Sequence, residues 1–215
     1  MNKFLVDKSF CINIRERKDR YLTVREELSC IEPSVEFFHV DRDNENPQRG
    51  CFSSHQTLVR QGIKNNWQNI LIFEDDVQLY RPVTDRIVRK VNRFIQVAEY
   101  DILFLGLILG KIWLSKHLGF TRCRGVCTHA YILSRSGMEK LAAAQYEHEN
   151  MGIDKWYKKQ LKGYSLFPMI ARQRSHGVGE SDISDTSCSD AFWIKNYRRQ
   201  YWSVLSNLHR SLGLK

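Results

Sequence analysis

The stretch Ile70-Leu71-Ile72-Phe73-Glu74-Asp75-Asp76-Val77 constrains this chain more than any other. Four apolar residues suited to a buried strand run directly into three consecutive carboxylates. Adjacent carboxylates repel one another and cannot be buried unpaired. A hard divalent ion with oxygen ligands is the natural partner for them, and it would in turn hold a phosphate. The stretch therefore points to a metal-dependent enzyme acting on a nucleotide or phosphorylated substrate. Its plainer reading is an exposed acidic turn, solvated or paired with arginines. If the strand's alternation continues, Glu74 and Asp76 share one side and Asp75 faces the other.

The length of 215 residues suits one large domain with a substantial core, and a hydrophobic fraction of 42% is that of a folded globular chain. The net charge of +9 favours anionic partners. That charge is uneven. No acid follows Asp190, whereas Lys195, Arg198, Arg199, Arg210 and Lys215 are interleaved with Phe192, Trp193, Tyr197, Tyr201 and Trp202. We expect residues 1–190 to form one catalytic domain. Residues 191–215 are expected to form a basic aromatic helix, packed on that domain or facing an anionic membrane. These aromatics suit helix packing better than base stacking, so no nucleic-acid partner is expected. The six cysteines show no CxxC pair, and free thiols in a reducing compartment are the expectation. The N-terminus is too charged for a signal peptide, and the longest apolar run, Ile102 to Gly110, is too short for a membrane span. A cytoplasmic protein is expected, peripheral at most to the inner face of a membrane.

The periodicity alternates between strand and helix. Strands are expected at Ser9 to Ile14, Val35 to Val40, Ile70 to Phe73, Asp101 to Leu109, Thr128 to Ser134 and Tyr164 to Ala171, the last interrupted by Pro168. Helices are expected from Asp19, from Ser53 or Ser54 to about Asn65, from Thr84, from the capping-box sequence at Ser136, and around Ile153 to Leu161. Such a pattern predicts an α/β sheet flanked by helices, with ligands at the carboxyl ends of its strands.

Four further segments carry chemistry. Gly50-Cys51-Phe52-Ser53-Ser54-His55 reads as a glycine before a capped helix start, where free backbone amides suit a phosphate or sugar hydroxyls. Arg15, Arg17, Lys18, Asp19 and Arg20 follow the first strand, where cations could neutralise a diphosphate and Asp19 could accept from a ribose or base. The segment from Arg172 to Asp185 is rich in Gly and Ser, and its composition suits a loop closing over a phosphorylated ligand; His176 within it could be a metal ligand or a phosphate contact. Asp154 opens a helix, and by itself is ordinary helix electrostatics.

Taken together these segments resemble glycosyltransferase family 25, which contains bacterial lipooligosaccharide galactosyltransferases and procollagen galactosyltransferases. The residues that carry the resemblance are Ile12-Asn13-Ile14 with Arg17, Asp19 and Arg20; Gly50-Cys51 with Ser54-His55; Trp67; the acid triplet and Val77; Asp101-Ile102-Leu103 with Leu105-Gly106; His129 to Ser134; Asp154; and Gln173 with Ser181-Asp182-Ile183. They span residues 10 to about 185 in the family's order. The resemblance implies a GT-A-like nucleotide-diphospho-sugar transferase fold with a mostly parallel sheet. It also implies a UDP-sugar donor, commonly UDP-galactose, Mn²⁺ (or Mg²⁺) as metal, and inversion at the anomeric carbon. The acceptor would be a saccharide or glycolipid such as lipooligosaccharide. On this reading Asp76, Glu74 and His176 hold the metal. Asn13, Arg17, Asp19, Arg20, Ser54, His55, Glu74, Asp75, Gln173 and His176 meet the donor. Asp154 is the first candidate for the base that deprotonates the acceptor, and Asp182 the second. The chain departs from the family pattern at Asp41-Arg42-Asp43-Asn44, where a small residue and then Asp-Gly are expected, and Trp67 falls later than the family's tryptophan. Two rival readings stand: another metal-dependent nucleotide or phosphoryl enzyme, and a non-catalytic interaction protein of the same fold.

Overall fold

A computed structural model of the chain describes residues 3–108, 110–126, 128–146, 152–175 and 189–211. The elements run β1 (Lys8–Ile14), α1 (Lys18–Glu27), β2 (Val35–Val40), α2 (Pro47–Lys64), β3 (Asn69–Glu74), β4 (Val77–Leu79), α3 (Asp85–Val97), β5 (Ile102–Phe104), β6 (Gly110–Leu114), β7 (Phe120–Gly125), β8 (Ala130–Ser134), α4 (Arg135–Ala142), α5 (Ile153–Gln160), β9 (Gly163–Leu166), β10 (Ala171–Gln173), α6 (Asp190–Ser206) and α7 (Leu208–Ser211). Eight strands form one sheet in the order β2-β1-β3-β8-β5-β9-β7-β6, and β10 pairs with β4 in a separate ribbon. Six of the eight run in one direction; β7 and β8 oppose them. This is the α/β architecture expected from the sequence, a mixed sheet with most strands in one direction, flanked by helices.

Alternation along β3 explains the two layers. Leu71 and Phe73 face one side, where they pack with Val24 and Leu28 near α1 and with Val88, Val91 and Phe94 of α3. Ile70 and Ile72 face the other, against Phe52, Leu58 and Val59 of α2, Met138 and Leu141 of α4, and Tyr157 of α5. All four are fully buried, which suits an interior strand covered on both faces.

Several local expectations are corrected. Helix α2 starts at Pro47, not near Ser54. Asn46 caps it, its side chain accepting from the Arg49 amide, and Pro47 occupies the first turn, where its missing N–H costs nothing. Gly50 is therefore helical, its amide bonded to the Asn46 carbonyl at 3.0 Å. It is a glycine because a Cβ there would lie 2.7 Å from Asp43 Cβ. Ser134 caps α4, while Ser136 instead donates to Asp101 Oδ1 at 2.7 Å. The expected strand over Asp101 to Leu109 pairs only through Phe104, because the chain passes under Ala171 at Gly106; a Cβ at Gly106 would clash with the Ala171 carbonyl. The segment from Tyr164 to Ala171 divides around Pro168, where an interruption is expected, and its two parts pair in different sheets as β9 and β10. The β6–β7 hairpin, where Gly110 takes a positive φ, has no counterpart in the sequence reading.

Asp101 ties this framework together. One carboxylate oxygen accepts from Ser136, the other from Lys140 Nζ at 2.6 Å and from the Lys162 amide at 2.7 Å. Burial works against its charge, but these donors outweigh burial and hold its pKa below the usual value. A depressed carboxylate stabilises the fold above its unfolded pKa and loses that contribution as pH falls through the folded value. Asp101→Ala should cost about 2–3 kcal/mol in urea denaturation at neutral pH. The difference between variant and parent should shrink as pH falls below about 4.

Candidate functional site

A cavity of about 370 Å³ opens at the carboxyl ends of β1, β2 and β3. Its walls include Ile12, Ile14, Arg20, Asp41 to Asp43, Gln48, Cys51, Ser54, His55, Glu74 to Asp76, Thr128, Gly152 to Lys155 and Gln173. The strand ends at Glu74, and Asp75 and Asp76 turn the chain into β4. Each of the three acids thus meets a different environment.

Glu74 keeps the side shared by Ile70 and Ile72. Its Oε1 accepts from Thr128 Oγ1 and lies 3.2 Å from His55 Nε2. Burial would raise its pKa, but the His55 and Thr128 contacts prevail and lower it. His55 Nδ1 is hydrogen-bonded to the Tyr131 hydroxyl, which lies 3.0 Å from that of Tyr157. His55 sits in the interior of α2, fully buried, and not in a first turn as expected. Ser54 donates to the Gly50 carbonyl at 2.8 Å. Neither residue therefore sits at a free helix N-terminus.

Asp75 turns to the α1 side. Its Oδ2 accepts from Asn13 Nδ2 at 2.8 Å and from the Ile14 amide, and its Oδ1 from Arg20 at 3.0 Å. Burial still raises its pKa, partly offset by Arg20. Asp76 is the least compensated of the three. Its Oδ2 accepts from Gln173 Nε2 at 2.7 Å, but its Oδ1 is buried with no hydrogen-bond partner among the described residues. Burial first, then repulsion by Glu74 and Asp75, pushes its pKa up to about 7. Asp154, at the start of α5, lines the same cavity. Burial raises its pKa and Glu74 adds to the rise, while the Lys155 amide, 2.6 Å away, opposes it.

The structure brings together Arg20, Ser54, His55, Glu74, Asp75, Asp76, Asp154 and Gln173 around this cavity, with Asn13 behind Asp75. It does not bring Arg17 and Asp19 there; they pair with each other at 3.0 Å on the surface of α1. His176 and Asp182 lie outside the described residues. Sequence reasoning passes over Gln48, Thr128 and Gly152. Pro47 after Asn46, a helix-start signal, is the one cue that places Gln48 in the first turn of α2. One further group is notable. Ligand atoms of Cys51, His55 and Glu74 lie within 4.8 Å of one another. Burial raises the Cys51 thiol pKa, and Glu74 Oε1 already accepts two hydrogen bonds, so this set suits a polar brace better than a hard cation.

Three comparisons with known proteins bear on the site. The family described as glycosyltransferase family 25 (LPS biosynthesis protein) matches residues 45–116. The inactive glycosyltransferase 25 family member 3 of Mus musculus is 26% identical over 168 residues, covering 65% of this chain and 28% of its own length. A glycosyltransferase 25 family member of Drosophila pseudoobscura pseudoobscura is 27% identical over 167 residues, covering 65% of this chain and 26% of its own. The chain spans less than a third of the length of these curated relatives. Among solved structures, a mannose-1-phosphate geranyltransferase from Thermus thermophilus aligns with a TM-score of 0.49 and 10% identity, over 80% of this chain and 76% of that one. Family match and curated relatives agree on glycosyltransferase family 25, the family that the ordered motifs resemble.

The unequal surroundings of the acids give different mutational outcomes. Asp75→Ala removes the carboxylate that accepts from Asn13, the Ile14 amide and Arg20, and should cost about 2–3 kcal/mol. Asp76→Asn removes a repelled, desolvated charge and should leave stability equal or higher. Urea denaturation of both variants without added metal reads the difference.

Proposed function

We propose that this chain transfers a hexose, galactose first among candidates, from a UDP-sugar to a saccharide hydroxyl, with inversion and with the help of a divalent ion. The charge balance of the cavity carries the reading. In a chain of net charge +9, the described cavity wall holds six carboxylates (Asp41, Asp43, Glu74, Asp75, Asp76, Asp154). Arg15, Arg49 and Arg20 pair with Asp41, Asp43 and Asp75. That leaves Glu74, Asp76 and Asp154 as a cluster in which Glu74 adds to the rise in pKa that burial causes in the other two, and a diphosphate entering alone would meet that cluster. The chemistry of the wall fits a cation: Asp76 Oδ1 is buried without a partner among the described residues, and Glu74 stands beside it with its carboxylate oriented by His55 and Thr128. Mn²⁺ or Mg²⁺ held there by Asp76 and Glu74 would supply positive charge to the leaving diphosphate.

The remaining roles follow from position. Arg20, with Asp75 and Asn13 behind it, and Arg42 at the end of β2 line the nucleotide side. Ser54, His55 and Gln173 complete the wall around the acids. Asp154, in the same cavity, is the base, and its raised pKa makes it a better proton acceptor than an ordinary aspartate. His176 as a further ligand and Asp182 as the second candidate base are part of the same proposal, resting on sequence alone.

The C-terminal helix supports a glycolipid acceptor at an anionic membrane. Its inner face is buried through Trp193, Asn196, Gln200 and Val204. Its outer face exposes Ile194, Tyr201, Trp202 (71% exposed) and Leu205 beside Lys195, Arg198 and Arg199. No helix among the described residues is long and apolar enough to cross a membrane. Peripheral contact from the cytoplasmic side is the geometry this face suits. Vesicles containing phosphatidylglycerol should blue-shift tryptophan emission. The shift should vanish in Trp202→Ala and with added salt, and neutral vesicles should not produce it.

The central test is thermal. UDP-galactose with Mn²⁺ at a hundredfold excess over Kd should stabilise the chain by about 2.7 kcal/mol. Asp76→Ala should abolish both that gain and UDP-galactose turnover. Binding without turnover in the parent chain would mark a non-catalytic member, as the name of the mouse relative says of that protein. Stabilisation by a nucleoside triphosphate but by no UDP-sugar would favour the rival phosphoryl chemistry.

A further inference from the structure

Cys51, His55 and Glu74 form a cluster whose chemistry differs from that of the acids beside it. Cys51 and His55 lie four residues apart in α2 and so share one face of the helix. Glu74 ends β3 against that face. One ligand atom from each residue (a sulfur, a ring nitrogen and a carboxylate oxygen) lies within 4.8 Å of the other two. His55 Nε2 and Glu74 Oε1 stand 3.2 Å apart. That is close to the edge, roughly 3.3 Å, of a tetrahedron whose metal–ligand bonds are about 2.0 Å. All three residues line the cavity, which gives an ion a path in and leaves a fourth position for water. The other ring nitrogen is already held. His55 Nδ1 is hydrogen-bonded to the Tyr131 hydroxyl, which meets that of Tyr157 at 3.0 Å. A metal-ligating histidine has such a partner on its second nitrogen, and the partner fixes its ring and tautomer. A hydroxyl accepts as readily as it donates, so Tyr131 can take the Nδ1 proton when Nε2 turns to an ion. Bracing Glu74 requires only His55 and Thr128; the sulfur turns the set towards a metal.

We propose that Cys51, His55 and Glu74 bind a borderline divalent cation, Zn²⁺ first, at a site that shares Glu74 with the one proposed for the hard ion. Thiolate and imidazole suit Zn²⁺, whereas Mn²⁺ and Mg²⁺ favour carboxylate, carbonyl and water. Burial keeps the Cys51 thiol protonated in the free chain, and a coordinating ion displaces that proton to solvent. The neutral imidazole moves its proton from Nε2 to Nδ1, facing Tyr131. Glu74 enters as the carboxylate and keeps its bond from Thr128. Because Glu74 belongs to both sites, Zn²⁺ would take it from the catalytic ion and so oppose donor binding. The site stands on its own geometry; the antagonism alone rests on the glycosyltransferase reading above.

Co²⁺ is the probe for such a site, because a cobalt–thiolate bond absorbs in the near ultraviolet and tetrahedral cobalt absorbs strongly in the visible. Added to the full chain without nucleotide or Mn²⁺, Co²⁺ should produce both absorptions, and Zn²⁺ should then remove them. Cys51→Ser should lose the near-ultraviolet band. Glu74→Gln should weaken Co²⁺ binding by about tenfold or more, since outer-shell partners alone are worth that much. A band that never appears, or that persists in Cys51→Ser through another cysteine, overturns the site. A second measurement uses the parent chain alone and is immune to a folding defect in a variant. X-ray absorption of the zinc-loaded protein should show a single sulfur at about 2.3 Å, with nitrogen and oxygen ligands at about 2.0–2.1 Å. Zinc with no sulfur neighbour, or with several, overturns the site as well. The antagonism is read separately. Zn²⁺ equimolar with the protein should erase the thermal gain that Mn²⁺ and UDP-galactose give the parent. A gain that survives overturns the antagonism and leaves the site. A parent chain that gains nothing from UDP-galactose and Mn²⁺ overturns the transferase reading and the antagonism with it, while the cobalt spectrum still decides the site.

Discussion

Three carboxylates at the end of a buried strand set the terms for everything around them. Burying one charge is costly and burying three adjacent ones is prohibitive unless each finds separate compensation. The fold divides the cost by geometry. Alternation sends Glu74 to one face of the sheet, where α2 and the start of β8 meet it with His55 and Thr128. The turn after the strand sends Asp75 to the other face, where β1 and α1 provide Asn13 and Arg20. Asp76 remains between them with one oxygen satisfied and one not, among the described residues. Asp75 is thereby built into the scaffold, and Glu74 is braced beside the cavity. The third is where chemistry has been left open.

The scaffold residues also link the parts that the proposed transfer would need in register. The chain of contacts from Glu74 through His55 and Tyr131 reaches Tyr157, on the same helix as Asp154. The acid proposed to hold the metal and the acid proposed as base are thus fixed to each other through buried, hydrogen-bonded side chains. A rigid path of this kind suits a displacement in which leaving group and nucleophile must lie on opposite sides of one carbon.

Much of this is legible in the sequence, and the exceptions have physical causes. The strand that ends in acids is readable because a fully apolar run and a charge triplet are both strong local signals. The start of α2 is not, because the polar segment from Asp41 to Arg49 looks like a loop by composition. Asn46 and Pro47, a cap and a first-turn proline, outweigh that composition. The pairing of Arg17 with Asp19 is hidden too, since spacing alone does not say whether neighbouring opposite charges turn inward or to each other. Gln48, Thr128 and Gly152 are invisible because they join one cavity wall only when segments far apart in the chain fold together. The placement of the short strands β4 and β10 depends on that kind of long-range closure as well.

The contrast between a basic exterior and an acidic cavity acts over two ranges. Far from the surface the net positive charge dominates and would draw in an anionic ligand such as the proposed sugar nucleotide, so it bears on how often the two would meet. Within the cavity the cluster of Glu74, Asp76 and Asp154 dominates, and on the proposed reading retention of a diphosphate would depend on the ion between them. Encounter and retention are therefore governed by different charges. Ionic strength would act mainly on the first, and divalent-ion concentration on the second. A product nucleotide that loses its ion would be expelled by the same carboxylates that had held it through the metal.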